Sequence, residues 1–260
     1  MAKALRVLIL GGTTEASALA RLIAGDARFD ATLSLAGRTS APKAQPIATR
    51  VGGFGGVDGL AKHLREQSVD AMVDATHPYA DQMSTNAVAA CSRTGTPLAS
   101  FVRPPWTQHT DDRWQVVPTA TSAALSLGSE PRRVFLSLGR QELQAFVAAP
   151  QHHYLARVIE PPDAVDLPPD LRLLQARGPF DRATEERLLK GERIEVLVSK
   201  NAGGSATYAK IEAARALGLP VIMIARPHKP AGHAVESAEA AIAWLEQHLH
   251  EAVPCSRRGV

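Results

Sequence analysis

The sequence predicts an α/β protein of two halves, each built on a mostly parallel sheet with covering helices. Three observations carry that expectation. Short apolar runs alternate with helix-like segments along the chain, which is the pattern of parallel strands joined by crossover helices. The alternation breaks at Gly128-Ser129-Glu130-Pro131 and then restarts, so a hinge is expected near residue 130. A length of 260 residues is enough for a core in each half. The expected division is therefore 1–130 and 131–260.

In chain order, the apolar run 5–10 reads as the first strand, stopped by Gly11-Gly12, and the alanine-rich stretch 14–25 as the first helix. A strand at 31–36 follows, and the glycine-rich turn Gly52-Gly53-Phe54-Gly55-Gly56 comes after a third strand. Helix 57–67, strand 69–75, helix 80–94 and strand 97–102 continue the alternation. A short strand at 113–117 and a helix at 119–127 close the first half. The second half reads as strand 133–138, helix 140–148, strand 153–159, a proline-rich loop at 161–169 and strand 171–176. Helix 181–190, strand 194–199, helix 205–217, strand 220–225 and helix 237–249 complete it.

Composition excludes several classes. Hydrophobic residues make up 45% of the chain and charged residues 21%, as in soluble globular domains. No apolar run approaches the ~20 residues of a membrane helix. Met1-Ala2-Lys3-Ala4 leads straight into a strand, leaving no room for a signal peptide. Cys91 and Cys255 are isolated, which argues against a disulfide framework and for a cytoplasmic setting. His152-His153 and the His248/His250 pair lack partnering ligands, so no metal is expected. A net charge of +3 without a lysine-rich tract argues against nucleic acid. The arginines suit an anionic small molecule; the oligomeric state is left open.

The first strand-turn-helix, Leu10-Gly11-Gly12-Thr13-Thr14-Glu15-Ala16, is how α/β folds build an anion site from backbone N–H groups and a helix dipole. It departs from G-x-G-x-x-G, with Thr13 and Ala16 where the second and third glycines would stand. Thr13 and Thr14 are expected to offer hydroxyls to a phosphate. The second strand ends in Gly37-Arg38-Thr39-Ser40 with no carboxylate. An arginine there accommodates a ribose 2′-phosphate, so Arg38 favours NADP(H) over NAD(H). The alternative for Arg38 is a solvated loop cation. The glycines around Phe54 permit close backbone approach to a ligand; Phe54 equally suits a plug in the core.

The segment Asp74-Ala75-Thr76-His77-Pro78-Tyr79-Ala80-Asp81 lies at a strand's carboxyl end, where ligands bind in open α/β sheets. His77 and Tyr79 are candidates for proton transfer, and Asp81 for a helix N-terminal carboxylate. In the second half, Ser199-Lys200-Asn201-Ala202-Gly203-Gly204 ends another buried strand, beside a helix start able to hold an anion. Arg226 ends the neighbouring strand, and Gly178-Pro179-Phe180 opens another helix. Both halves are thus expected to be Rossmann-like, with a cleft between them.

These motifs, with Arg103-Pro104-Pro105-Trp106, Arg177-Gly178-Pro179-Phe180 and Arg226-Pro227, resemble the precorrin-6A reductase family, collinearly from about residue 5 to 228. Ala202 departs from the serine common in that family. The resemblance implies NADPH-dependent reduction of precorrin-6A, an anionic tetrapyrrole, to precorrin-6B in cobalamin biosynthesis. It assigns Gly11, Gly12, Thr13, Thr14, Glu15, Arg38, Gly53, Phe54, Gly55 and Thr76 to the cofactor. His77, Tyr79 and Lys200 become the catalytic candidates. Arg103, Arg140, Arg177 and Arg226 become clamps for substrate carboxylates, and Asn201 a further substrate-binding candidate. Two rivals are a reductase of another polyanion and a non-catalytic NADP(H)-sensing regulator.

Overall fold

The computed structural model describes residues 3–37, 43–162, 166–230 and 232–249. The chain begins with β1 (Leu5–Leu10), α1 (Thr14–Ile23), β2 (Phe29–Leu35), β3 (Ala48–Val51), α2 (Gly56–Glu66), β4 (Ala71–Asp74), α3 (Asp81–Thr94) and β5 (Leu98–Phe101). It continues with β6 (Arg113–Val117), α4 (Ala120–Leu125), β7 (Arg133–Ser137), a 3-10 helix (Arg140–Ala148), β8 (His153–Val158) and β9 (Leu171–Gln175). The remaining elements are α5 (Arg182–Gly191), β10 (Val196–Lys200), α6 (Ala209–Ala216), β11 (Pro220–Ile224), β12 (His233–Val235) and α7 (Ala238–Leu249). They form two units, one from Met1–Arg103 with His228–Val260 and one from Pro104–Pro227.

The first unit's sheet has the order β12-β5-β4-β1-β2-β3 and the second's has β6-β11-β10-β7-β8-β9. Every adjacent pair is parallel. Both follow the doubly wound order in which the strand sequence reverses beside the first strand. The reversal falls between β1 and β4 in one unit and between β7 and β10 in the other. Strands buried on both faces explain the near-continuous apolar runs of β1, β7 and β10.

The junction lies elsewhere than residue 130. Strand β6, expected in the first half, pairs with β11 in register Arg113↔Pro220. Strand β12, absent from the sequence reading, pairs with β5 through His233↔Ala99. Each sheet thus takes its sixth strand from across the expected boundary. A local apolar pattern marks a strand but not its sheet, which is why the boundary was misplaced. Residues 140–148 form a 3-10 helix rather than an α-helix, starting at Gly139 without a side-chain cap.

Helices form where caps and apolar spacing agree. Thr13 caps α1 by accepting from the Ala16 N–H, and Ala16, Leu19, Ala20 and Ile23 bury one face. Val7 and Ile9 pack with Leu19 and Ile23 of α1 and Trp244 of α7 on one side of the first sheet. Leu8, Leu10 and Met72 pack with Leu60 and Leu64 of α2 and Ala87 of α3 on the other. In the second unit Phe135, Leu197 and Met223 pack with Leu189 of α5 and Ile211 of α6. Each fully buried large side chain contributes about 1.5–3 kcal/mol relative to exposure.

Candidate functional site

At the first unit's reversal point, the carboxyl ends of β1 and β4 carry the turn 11–15 and the segment 74–79. Gly12 has φ of 106°, a backbone that a side chain would strain. The Thr13 hydroxyl donates to Ala75 O at 2.8 Å while accepting from Ala16 N–H at 3.1 Å. Its hydrogen ties β1's turn to the end of β4, so Thr13 braces the turn. The Thr14 hydroxyl donates to Glu15 Oε2 at 3.0 Å.

Glu15 in turn meets Arg103 Nη1 at 2.7 Å. Burial pushes the Glu15 carboxyl up, but the Arg103 hydrogen bond and charge, its own backbone N–H and Thr14 together hold it below its ordinary value. The carboxylate at the start of α1 therefore carries its own counter-charge.

Asp74 ends β4 and is 1% exposed. Its carboxylate accepts from the Thr76 backbone N–H at 3.0 Å and hydroxyl at 2.6 Å, and also from the Ser84 hydroxyl. Lys229 Nζ lies 3.3 Å from Asp74 Oδ2 and donates to Thr76 Oγ1 at 3.0 Å. A buried carboxylate is thus neutralised by a lysine from the returning segment. His77 Nδ1 accepts from the Tyr79 backbone N–H at 3.3 Å, and the two rings sit 5.6 Å apart. A neutral His77 ring accepting at Nδ1 carries its proton on Nε2. Asp81 lies in the first turn of α3.

The glycine loop after β3 is braced by Arg50. Its guanidinium donates to Gly52 O at 3.0 Å and Gly53 O at 3.2 Å, and lies 3.9 Å above the Phe54 ring. Phe54 also contacts His63 edge-on and packs against the α2–α3 core. Gly55 starts α2 in a left-handed conformation. Arg38 lies outside the described residues.

In the second unit, Lys200 at the end of β10 is paired with Glu142 of the 3-10 helix, across the β7–β10 reversal point. Asn201 accepts from the Trp106 backbone N–H at 2.8 Å and donates to Trp106 O at 3.0 Å. Arg226 donates to Asn201 O, Ala202 O and Pro104 O at 2.8, 3.0 and 3.1 Å. Both residues staple segments 104–106 and 201–204 together. Gly203 has φ of 70°, and a Cβ there would lie 2.2 Å from Pro104 O. Arg140 donates to Pro161 O at 3.4 Å, and Arg177 is exposed.

The structure thus pairs Glu15 with Arg103, ties Thr13 to Ala75 O and holds Thr76 on Asp74 in the first unit. Lys200, Asn201 and Arg226 lie at neighbouring strand ends in the second. Four participants were missed from sequence: Lys229, Glu142, Ser84 and Arg50. Arg50 is brought to the site by the β2–β3 register, which sets it opposite Ser34; the others are joined to the site by tertiary packing. Among the described residues no helix is long and apolar enough to cross a membrane, and no cluster suited to a metal occurs.

Comparison with known proteins places the chain. The family model described as precorrin-6x reductase CbiJ/CobK matches residues 6–246. Precorrin-6A reductase of Rhodobacter capsulatus is 52% identical over 243 residues, covering 94% of this chain and 96% of that protein. Its counterpart from a Sinorhizobium species is 50% identical over 226 residues, covering 87% and 86%. A solved structure titled CobK precorrin-6A reductase superposes with a TM-score of 0.88 at 50% identity, covering 98% of this chain and all of that one. With a parallel α/β sheet of doubly wound order in each unit and these matches along nearly its whole length, the chain belongs to the precorrin-6x reductase family.

Proposed function

We propose that this chain reduces precorrin-6A to precorrin-6B with NADPH, a step of cobalamin biosynthesis carried out in the cytoplasm. The observation that carries the cofactor assignment is the β1–α1 turn at the sheet's reversal point. Gly12's positive φ and the N–H groups opening α1 fit a pyrophosphate. The relatives at 52% and 50% identity are named for precorrin-6A, whereas those named for cobalt-precorrin-6A are 27–29% identical, which supports the metal-free macrocycle as substrate. When bound, NADPH supplies the hydride.

Gly12 to Thr14 hold the pyrophosphate through backbone N–H groups, with Gly11 closing the strand against Ser34 O and Thr13 as the brace. Arg103 neutralises Glu15, so that an anion can approach the start of α1. Arg38 takes the ribose 2′-phosphate, and Gly53, Phe54, Gly55 and Thr76 line the same carboxyl edge. Thr76, held by Asp74 and Lys229, fixes the backbone leading to His77. His77, with its proton on Nε2, or the Tyr79 phenol delivers the proton that completes reduction of the macrocycle double bond. Orientation of the reacting partners supplies much of the rate.

In the second unit Lys200 offers an ammonium to a substrate carboxylate. Its pairing with Glu142 fixes it at the end of β10. Arg140 and Arg177 are the substrate clamps, whereas Asn201 and Arg226 act through the 201–204 loop that they hold.

The test is NADPH consumption by the purified chain, followed by loss of NADPH absorbance. Consumption that requires precorrin-6A and yields a product heavier by two hydrogens supports the proposal. Cofactor binding without turnover on authentic precorrin-6A overturns it. In single turnover, an unchanged rate in His77→Ala removes His77 from proton delivery.

A further inference from the structure

We infer that Arg50, seated on Ser34 at the carboxyl end of β2, is a specificity residue for the ribose 2′-phosphate of NADPH. The inference rests on the proposed NADPH dependence and adds a residue to it. In a doubly wound sheet the ribose of the adenosine half lies at the carboxyl end of the second strand. Strand β2 spans Phe29–Leu35, and β3 runs parallel beside it with Arg50 opposite Ser34. The Arg50 Nη1 group donates to Ser34 Oγ at 2.7 Å and to Gly52 O at 3.0 Å, while Nη2 donates to Gly53 O at 3.2 Å. The guanidinium therefore sits at the carboxyl edge of both strands.

Its charge balance differs from that of Arg103, Arg28 and Arg93. Arg103 faces Glu15, Arg28 faces Asp26 and Glu246, and Arg93 faces Asp58. Among the described residues Arg50 has no carboxylate within ion-pair distance. Its partners are a hydroxyl, two carbonyls and the Phe54 ring. Burial disfavours the charge, and these neutral acceptors offset that only in part.

The ring face, Ser34, Gly52 and Gly53 orient the planar guanidinium, which leaves the Nε hydrogen and the second Nη2 hydrogen as a donor pair for two oxygens of a phosphate monoester. A dianionic phosphate brings the missing counter-charge; the unphosphorylated ribose of NADH does not.

The experiment is calorimetric titration of the full chain with NADPH, NADH, adenosine 2′,5′-bisphosphate and 5′-AMP. The wild-type protein should prefer each 2′-phosphorylated ligand. Arg50→Gln should weaken NADPH and the bisphosphate by roughly tenfold to hundredfold, with NADH and 5′-AMP changed by less than about twofold. Arg50→Lys keeps the charge without the fork. It should give a smaller loss of the same selectivity, and it carries the test if the glutamine variant does not fold. Equal losses for all four ligands mean that Arg50 only braces the Gly52–Gly53 loop, and overturn the assignment. A wild-type protein without preference for the 2′-phosphate refutes NADPH dependence itself, and that result is read before any variant is made.

Discussion

Arg103 Nη1 lies 2.7 Å from Glu15 Oε2, so the acidic residue in the first turn of α1 is neutralised from the end of β5. Without Arg103, a bare carboxylate would stand where the fold presents backbone N–H groups to a diphosphate. Arg103→Met should therefore weaken NADPH and NADH alike, by about threefold to thirtyfold, from the usual strength of charges at helix termini. The double variant with Glu15→Gln should recover most of that loss. A single variant with unchanged cofactor affinity, measured by titration, would show that Glu15 does not face the bound diphosphate.

Asp74 and Lys229 form the most buried charge pair at the same edge, with side chains 2% and 13% exposed. Removing one member of such a pair leaves an uncompensated charge in low dielectric. Lys229→Met should cost about 3–5 kcal/mol of stability in urea or guanidinium unfolding. Asp74→Asn combined with Lys229→Met should return much of it, since an amide oxygen at Oδ1 still accepts from Thr76 and the amide NH2 at the other position can donate to the Ser84 hydroxyl. Equal destabilisation in the single and double variants would mean that the lysine's packing, not its charge, is what matters.

The strand ends that carry the first unit's candidate residues were legible because each follows an apolar run directly. The turn at 11–15 and the cluster at 74–79 both follow apolar runs, and the carboxyl ends of parallel strands gather ligands whatever the sequence between them. What could not be read was which polar groups bind one another. Thr13's hydroxyl, expected to face a phosphate, instead joins Ala75 O, 62 positions away in sequence. Arg226 and Asn201, expected to bind substrate, hold the Pro104–Trp106 segment. Lys229 gave no local signal, because its partner Asp74 is supplied by a distant strand. The exchange of β6 and β12 between sheets was hidden for the same reason.

Gly203 tests the stapled loop directly. At φ of 70°, a Cβ would lie 2.2 Å from Pro104 O and 2.4 Å from Arg226 Nη2. Gly203→Ala should therefore cost about 1–3 kcal/mol from backbone strain and displaced contacts. It should also lower substrate affinity by shifting the loop that follows Lys200, while leaving NADPH affinity within about twofold, since the proposed cofactor turn belongs to the other unit. A stable Gly203→Ala protein with normal substrate affinity would remove the loop from the substrate site.

His152 gives the pH dependence of folding. It is fully buried immediately before β8, with its ring 5.9 Å from that of Tyr154. Burial lowers its pKa below the ordinary value of 6.5; the Gly128 backbone carbonyl, as an acceptor, opposes the shift, while the charges of Arg132 and His153 reinforce it. In the unfolded chain His152 titrates near the ordinary value, so just below that pH the unfolded state holds a proton that the folded state does not. Stability then rises with pH across this window and falls as the solution is acidified through it. One such group contributes a slope of at most about 1.4 kcal/mol per pH unit. His63, also lowered by burial and by Arg50, adds a slope of the same sign. Denaturant unfolding between pH 5 and 8 should show His152→Leu losing part of the acid sensitivity while His63's share persists. An identical pH profile in the variant would mean that His152 takes up its proton equally in the folded and unfolded chain, and that its burial carries no pH dependence.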